Sequence, residues 1–407
     1  MDRRAVLEAG LALGTVGLAG CAGPEPGVRT TESGPSKTEV DPSRTTGTTD
    51  SPAYRVEPVS TGFTRPWGLA FVPEQSALLV TERPGRLRLL DAENGTSTVL
   101  SGTPSVYSSG QGGLLDVTTG RAESEPWVYL TYAATNRAGA SATHLGRGRL
   151  DLDAGRLREF ERLHVAEPFA ESNAHYGSRV VIGPDDMLYV SVGDRQFKNF
   201  GPDHVAQDPT TELGTTLRLA PDGRVPDDNP FVGESGKLDT IYSYGHRNVQ
   251  AMAVHPGTGA IWQAEHGERD GDEINVIEAG GNYGWPVASY ACHYGSDQPV
   301  GDPPDERPEF VEPVYHWECG SGGFPPSGMA FYDGDAFPEW QGDLFVGTLA
   351  GQYLGRFTVD GRTVTENPPL LADRGWRIRD VAVAPTTGEL YVAVDRSTPQ
   401  IVRLVPA

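Results

Sequence analysis

The chain has 407 residues, 37% of them hydrophobic and 9% aromatic, which is enough apolar material for a large folded core and excludes a disordered chain. It carries 55 acidic and 33 basic residues, a net charge of −22. That balance argues against nucleic acid as a partner, since phosphate binding needs a basic footprint. The preference for arginine over lysine and the dispersed Asp and Glu suggest a salt-loving (halophilic) host.

At the N-terminus, Asp2-Arg3-Arg4 precedes an apolar run from Ala5 to Gly20 that ends in Leu18-Ala19-Gly20-Cys21. This reads as a twin-arginine export signal with a lipobox over residues 1–21, in which Cys21 is the lipidated first residue of the mature lipoprotein. The run is shorter than the roughly 20 residues that span a bilayer, which disfavours a transmembrane anchor. Residues 22–52, rich in Thr, Ser, Pro and Gly, are predicted to be a disordered tether. The chain is therefore expected to be exported and held on the outer face of the cytoplasmic membrane by lipid alone. Cys292 and Cys319 remain, to be read either as a disulfide or as two buried thiols.

From residue 53 to 407 one kind of segment recurs. SALLVTE (76–82), WVYLTYA (127–133), DMLYVSVGD (186–194), GAIWQAEHG (259–267), GDLFVGTLA (342–350) and GELYVAVD (388–395) are short β-rich runs, four of them preceded by a Pro-containing loop that in three cases also holds Gly or Asp. Radial repetition explains this better than a β-sandwich, so the predicted fold is an all-β, six-bladed β-propeller with four-stranded blades. Uneven spacing implies long loops, which in a propeller build the site over the central channel.

Three loop segments concentrate polar chemistry. His175 precedes Val180-Val181-Ile182 and is a candidate general base. Gly245-His246-Arg247-Asn248 bends between apolar runs and offers a guanidinium fork and an amide. In Arg377-Ile378-Arg379-Asp380, strand alternation puts both arginines on one face, as a clamp for an anion. The stretch 264–286 mixes carboxylates with glycines but lacks EF-hand spacing; a hard cation using main-chain oxygens suits it better than a soft metal. No P-loop, G-x-G-x-x-G, G-x-S-x-G or H-E-x-x-H occurs, so nucleotide, nicotinamide and serine-hydrolase chemistry lack their usual signatures.

Eight segments taken in order resemble the pyrroloquinoline quinone (PQQ)-dependent sugar dehydrogenases of the soluble glucose dehydrogenase and aldose sugar dehydrogenase type. They are GQGGLLDV (110–117), NAHYGSR (173–179), GRVPDDNPF (223–231), SYGHRN (243–248), EHGERDGDEIN (265–275), GGNYGWP (280–286), SGMAFY (327–332) and RGWRIRDV (374–381). The resemblance implies a quinoprotein oxidoreductase that oxidises aldoses to lactones at the cell surface and passes electrons to a separate acceptor. His175 would take the proton of the anomeric hydroxyl while the hydride goes to the quinone. Arg247 would stabilise the oxyanion that develops there.

Gln111, Asn248, Asp272, Tyr294, Arg377 and Arg379, together with Arg247, match cofactor-contact positions. The carbonyls of Gly267 and Glu268 match ligands of a cofactor-bound calcium, and Glu273 and Tyr283 match a structural calcium site. The chain departs from the family pattern at Ala174, where relatives carry Asp or Asn, at Ser178, in place of a common Gly, and at Ala350, in place of a lysine. Glu268 stands where some relatives have Pro. Two rival readings stay open: a non-catalytic binding propeller, and a calcium-dependent lactonase on the same scaffold.

Overall fold

All six recurring runs fold as strands: Ala77–Glu82, Trp127–Thr135, Leu188–Val192, Ile261–Glu265, Leu344–Thr348 and Leu390–Val394. Each is the second strand of its own four-stranded antiparallel sheet. With a neighbour on either side and another sheet against both faces, such a strand buries nearly every side chain, which is why it reads as a continuous apolar run. The computed structural model describes residues 53–121, 124–395 and 400–407, and these form a six-bladed propeller as expected. The export signal, Cys21 and the tether lie outside the described residues. Among the described residues no helix is long and apolar enough to cross a membrane.

Blades 1 to 5 take their strands in chain order from residues 66–100, 114–165, 180–244, 249–316 and 326–366. Blade 6 joins three strands from the C-terminal end of the chain to Tyr54–Thr61, which pairs with Gln400–Pro406 from Tyr54 opposite Pro406 to Thr61 opposite Gln400. This pairing closes the ring by giving blade 6 its outermost strand from the other end of the propeller sequence. Six apolar clusters fill the gaps between successive blades, so the core is distributed between sheets. Blades 5 and 6, for example, meet through Tyr332, Phe345, Leu354, Ile378, Leu390 and Val392.

The innermost strands, one per blade, surround the axis. There Arg179 acts as a hub: Nη1 meets Asp116 at 3.0 Å and Asp380 at 3.1 Å, Nε donates to the Gln250 carbonyl at 2.7 Å and Nη2 to the Arg379 carbonyl at 3.1 Å. Asp380 also accepts the Leu69 N–H at 2.7 Å, and Ser327 Oγ donates to the Arg379 carbonyl at 2.7 Å, so all six blades are tied to this centre. Cys292 and Cys319 form a disulfide with a Cα separation of 5.5 Å, which decides between the two readings of that pair.

Candidate active site

In an antiparallel sheet the start of the first strand and the end of the second lie at the same edge. On that face of the propeller, loops from several blades enclose a cavity of about 330 Å³. Its lining follows the topology. Gln111, His175, Arg247, Asn248 and Arg377 precede inner strands; Trp67, Gln250 and Arg379 sit at their starts; Arg83, Gln196, His266, Gly267, Leu349 and Asp395 follow second strands. Tyr294 stands at the rim, 68% exposed.

His175 is buried, in a left-handed backbone conformation (φ 46°) that a non-glycine residue adopts only when its surroundings hold it there. Gln111 does part of this, its Oε1 accepting the His175 N–H at 2.8 Å. The ring is fixed by Asp194, whose Oδ1 lies 2.7 Å from Nδ1. Asp194 also accepts from Trp285 Nε1 at 3.0 Å and from the Gln196 N–H at 2.8 Å. Burial alone would raise Asp194, but the bond to His175 and the nearby cationic groups hold it below the ordinary carboxylate range. An ionised carboxylate only accepts, so Nδ1 carries the proton and Nε2 keeps its lone pair. Burial, aided by the charges of Arg247 and Lys198, lowers the proton affinity of His175, against the pull of Asp194. The missing polar group at Ala174 is thus no loss to the base, because its orienting partner comes from the loop after the second strand of blade 3. The next residue in that loop, Arg195, stitches it to the His175 segment through the Ala174, Ser141 and Ser172 carbonyls at 3.0, 2.7 and 2.6 Å.

Much of the remaining lining is cationic. Arg83, Arg247, Arg377 and Arg379 line the cavity, with Asp395 as the carboxylate among them. Asp395 takes Arg379 Nη2 at 2.7 Å, while the buried Nε of Arg379 has no partner among the described residues. Burial, then the charge of Arg379, brings Arg83 down to about 10, still charged at neutral pH. His266 also presents a buried Nε2 without a partner among the described residues, and burial and Arg247 bring its pKa down to about 3, so it stays neutral. In a chain of net charge −22, this concentration of guanidinium groups, one with an unpaired N–H, makes a site for a polar anion.

Two of the sequence-derived residues also make side-chain contacts within the protein. Asp272 lines neither this cavity nor the small one below; its carboxylate accepts the N–H groups of Gly267 at 3.1 Å and Phe324 at 2.6 Å, and burial raises it to about 6. It shapes the 266–272 loop, where a Cβ on Gly267 would meet the Asp270 carbonyl at 1.9 Å. Glu268 directs its side chain to Arg247 and Lys198.

Beside the loop is a second cavity of only about 10 Å³, lined by Gly245, Glu265, Gly267, Glu273 and Tyr283 among others. Glu265 and Glu273 face each other across paired strands, and burial and the Glu265 charge push Glu273 well up. Asn275 turns its amide nitrogen toward both carboxylates, 3.4 Å from each. Two carboxylates and glycine backbone form a donor set of hard oxygens that suits a cation such as calcium. Among the described residues no cluster of three or more His, Cys, Asp or Glu side chains forms a metal cage, so main-chain oxygens would have to complete either cation site. Tyr283 donates its hydroxyl to the Val276 carbonyl at 2.7 Å and stacks on His246, which makes its own carbonyl the group left for a ligand role.

The family model for glucose/sorbosone dehydrogenase matches residues 63–403. The chain belongs to this family. The aldose sugar dehydrogenase YliI of Escherichia coli is 39% identical over 357 residues, covering 86% of this chain and 92% of that protein. Quinoprotein glucose dehydrogenase B of Acinetobacter calcoaceticus is 27% identical, covering 81% and 83% of the two chains. The PQQ-bound structure of the aldose sugar dehydrogenase from Streptomyces coelicolor superposes with a TM-score of 0.69 at 28% identity, covering 87% of this chain and 99% of that one. Membership of the glucose/sorbosone dehydrogenase family accounts for the eight ordered motifs and for the propeller, and makes the chain an oxidoreductase of the sugar-dehydrogenase type.

Proposed function

We propose that this protein is a PQQ- and calcium-dependent dehydrogenase that oxidises aldose sugars at the anomeric carbon to lactones. The observation that carries the reading is the pairing, within one cavity, of a buried neutral His175 oriented by Asp194 with a wall of four arginines. PQQ, the planar tricarboxylate bound by the Streptomyces relative, fits such a wall, with Arg377, Arg379 and Arg83 for its carboxylates and Arg247, Asn248 and Gln111 for its other oxygens. When bound, it supplies the two-electron acceptor for the hydride that leaves the sugar.

The chain's own residues supply the rest. Nε2 of His175 receives the proton of the anomeric hydroxyl, and Asp194 stabilises the imidazolium that results. The fixed guanidinium of Arg247 favours negative charge at the oxygens beside it without having to reorganise. Gly267 and Glu268 carbonyls, and the Glu265–Glu273 pair with Tyr283, are the candidate calcium positions, and calcium at the first would act as a Lewis acid. A lactonase would instead gather several carboxylates round one ion in the main cavity, where arginines stand. A binding propeller would have no use for the His175–Asp194 pair.

The test is reconstitution. Apoprotein supplied with PQQ and calcium is expected to reduce a dye in the presence of aldoses, and to need both additions; absence of any sugar-dependent reduction would sink the proposal. Export and anchoring at Cys21 belong to the same reading: Cys21→Ala is expected to release the protein from host membranes, and continued sedimentation with them would count against the lipid anchor.

A further inference from the structure

At the rim of the cavity one carboxylate joins two loops. Glu268 lies just after Gly267 in blade 4, and its side chain is 6% exposed. Lys198 Nζ donates to both oxygens, at 2.5 and 2.6 Å, and Arg247 Nη2 donates to Oε2 at 2.6 Å. Burial would raise this carboxyl, but the Lys198 bond and the Arg247 charge hold it below its ordinary value. Lys198 is half exposed and sits over the rings of Phe200 and Tyr294, at 5.4 and 5.9 Å. It belongs to the loop that also provides Asp194, the partner of the base, and Gln196 in the cavity wall.

Arg247 depends on this contact. Its guanidinium is otherwise held by a long bond of 3.3 Å to the His266 carbonyl and by the Trp285 ring at 5.2 Å. Glu265 fixes the Arg247 backbone N–H at 2.6 Å but leaves the side chain unconstrained. A buried guanidinium without its carboxylate keeps its charge and loses its preferred direction. A buried Glu268 without Lys198 faces Arg247 as its one remaining cation.

We propose that Glu268 is a positioning residue for Arg247, held in place by Lys198, and that the Lys198–Glu268–Arg247 chain straps the loop carrying the base's partner to the turn carrying the site's arginine. It rests on the function proposed above for its kinetic consequences, though not for its structural ones. Because Lys198 reaches Arg247 only through the Glu268 carboxylate, removing Glu268 should make Lys198 redundant.

The experiment compares wild type, Lys198→Met, Glu268→Gln and the double variant, as reconstituted enzymes and as crystals of the apoproteins. Glu268→Gln is expected to lower kcat by ~10- to 100-fold, the usual cost of losing an outer-shell partner, with KM for the sugar changing less than about threefold. Lys198→Met should cost less, the double variant no more than Glu268→Gln, and Glu268→Asp should recover part of the rate. In the apo crystals, Arg247 should leave its wild-type position in Glu268→Gln. An unmoved Arg247 with unchanged kcat, or fully additive losses in the double variant, would overturn the strap. Lys198 is half exposed, so its variant tests the coupling even if Glu268→Gln fails to fold. Should wild type oxidise no sugar, the functional reading falls, while the position of Arg247 in the apo crystals still judges the strap.

Discussion

The two ends of the propeller's central channel share six inner strands and differ in what covers them. One end is the cavity of about 330 Å³, lined by side chains from loops, chiefly guanidinium, imidazole and amide groups. The other is a wider opening of about 450 Å³, lined by the strands themselves through Leu69, Phe71, Met252, Met329, Phe331 and Val383. Between them sits the Arg179 hub, with burial raising both Asp116 and Asp380, the latter to about 6. The contrast separates two kinds of residue: those near the axis that hold six blades in register, and those in loops that perform chemistry on one face.

If that separation is real, the two classes should fail differently. His175→Ala should reduce kcat by roughly 10²- to 10⁴-fold while leaving cofactor binding and the unfolding midpoint nearly unchanged. A variant with near-full turnover would remove His175 from the mechanism. Arg179→Met should do the reverse: stranding two buried carboxylates costs about 3–5 kcal/mol of stability. Urea unfolding reads this directly, and a wild-type midpoint would show that the hub is not what ties the blades. The smallest effect is expected at Ser178, which adopts φ 74°, a conformation that favours glycine. Ser178→Gly should raise stability by up to about 1 kcal/mol by relieving that backbone; a lower midpoint would mean that the Ser178 hydroxyl bond to the Tyr176 carbonyl at 3.1 Å outweighs the strain.

The same contrast explains what could be read in advance. The six second strands were legible because burial on both faces makes them continuous apolar runs. Inner strands were not, being as short as Val180–Ile182 or carrying hub residues such as Asp116 and Asp380 in an otherwise apolar stretch. In the site, the family motifs pointed to His175, Gln111, Arg247, Asn248, Tyr294, Arg377 and Arg379, but Asp194, Gln196, Lys198, His266, Asp395 and Arg83 escaped notice. A signal existed: most of them lie just past the end of a second strand, in Thr81-Glu82-Arg83, Val192-Gly193-Asp194, Glu265-His266-Gly267 and Val394-Asp395. Once the repeat is known, those positions all open onto one face. The carboxylates of the 264–286 stretch divide likewise, from Glu265 and Glu273 facing each other in the interior to Glu278, half exposed and paired with Arg362 at 3.0 Å.

The central claim is that His175 works as a neutral, buried base held by Asp194, and the acid side of the kcat/KM profile measures it most directly. Burial, with the charges of Arg247 and Lys198, sets its pKa below 6.5. The competent, unprotonated form therefore persists above that value and is lost as pH falls through it. The account predicts a rate that is level from pH 7 down past 6.5 and then falls about tenfold per pH unit. A limb centred at 6.5 or higher, or one that persists unchanged in the residual activity of His175→Ala, would contradict it.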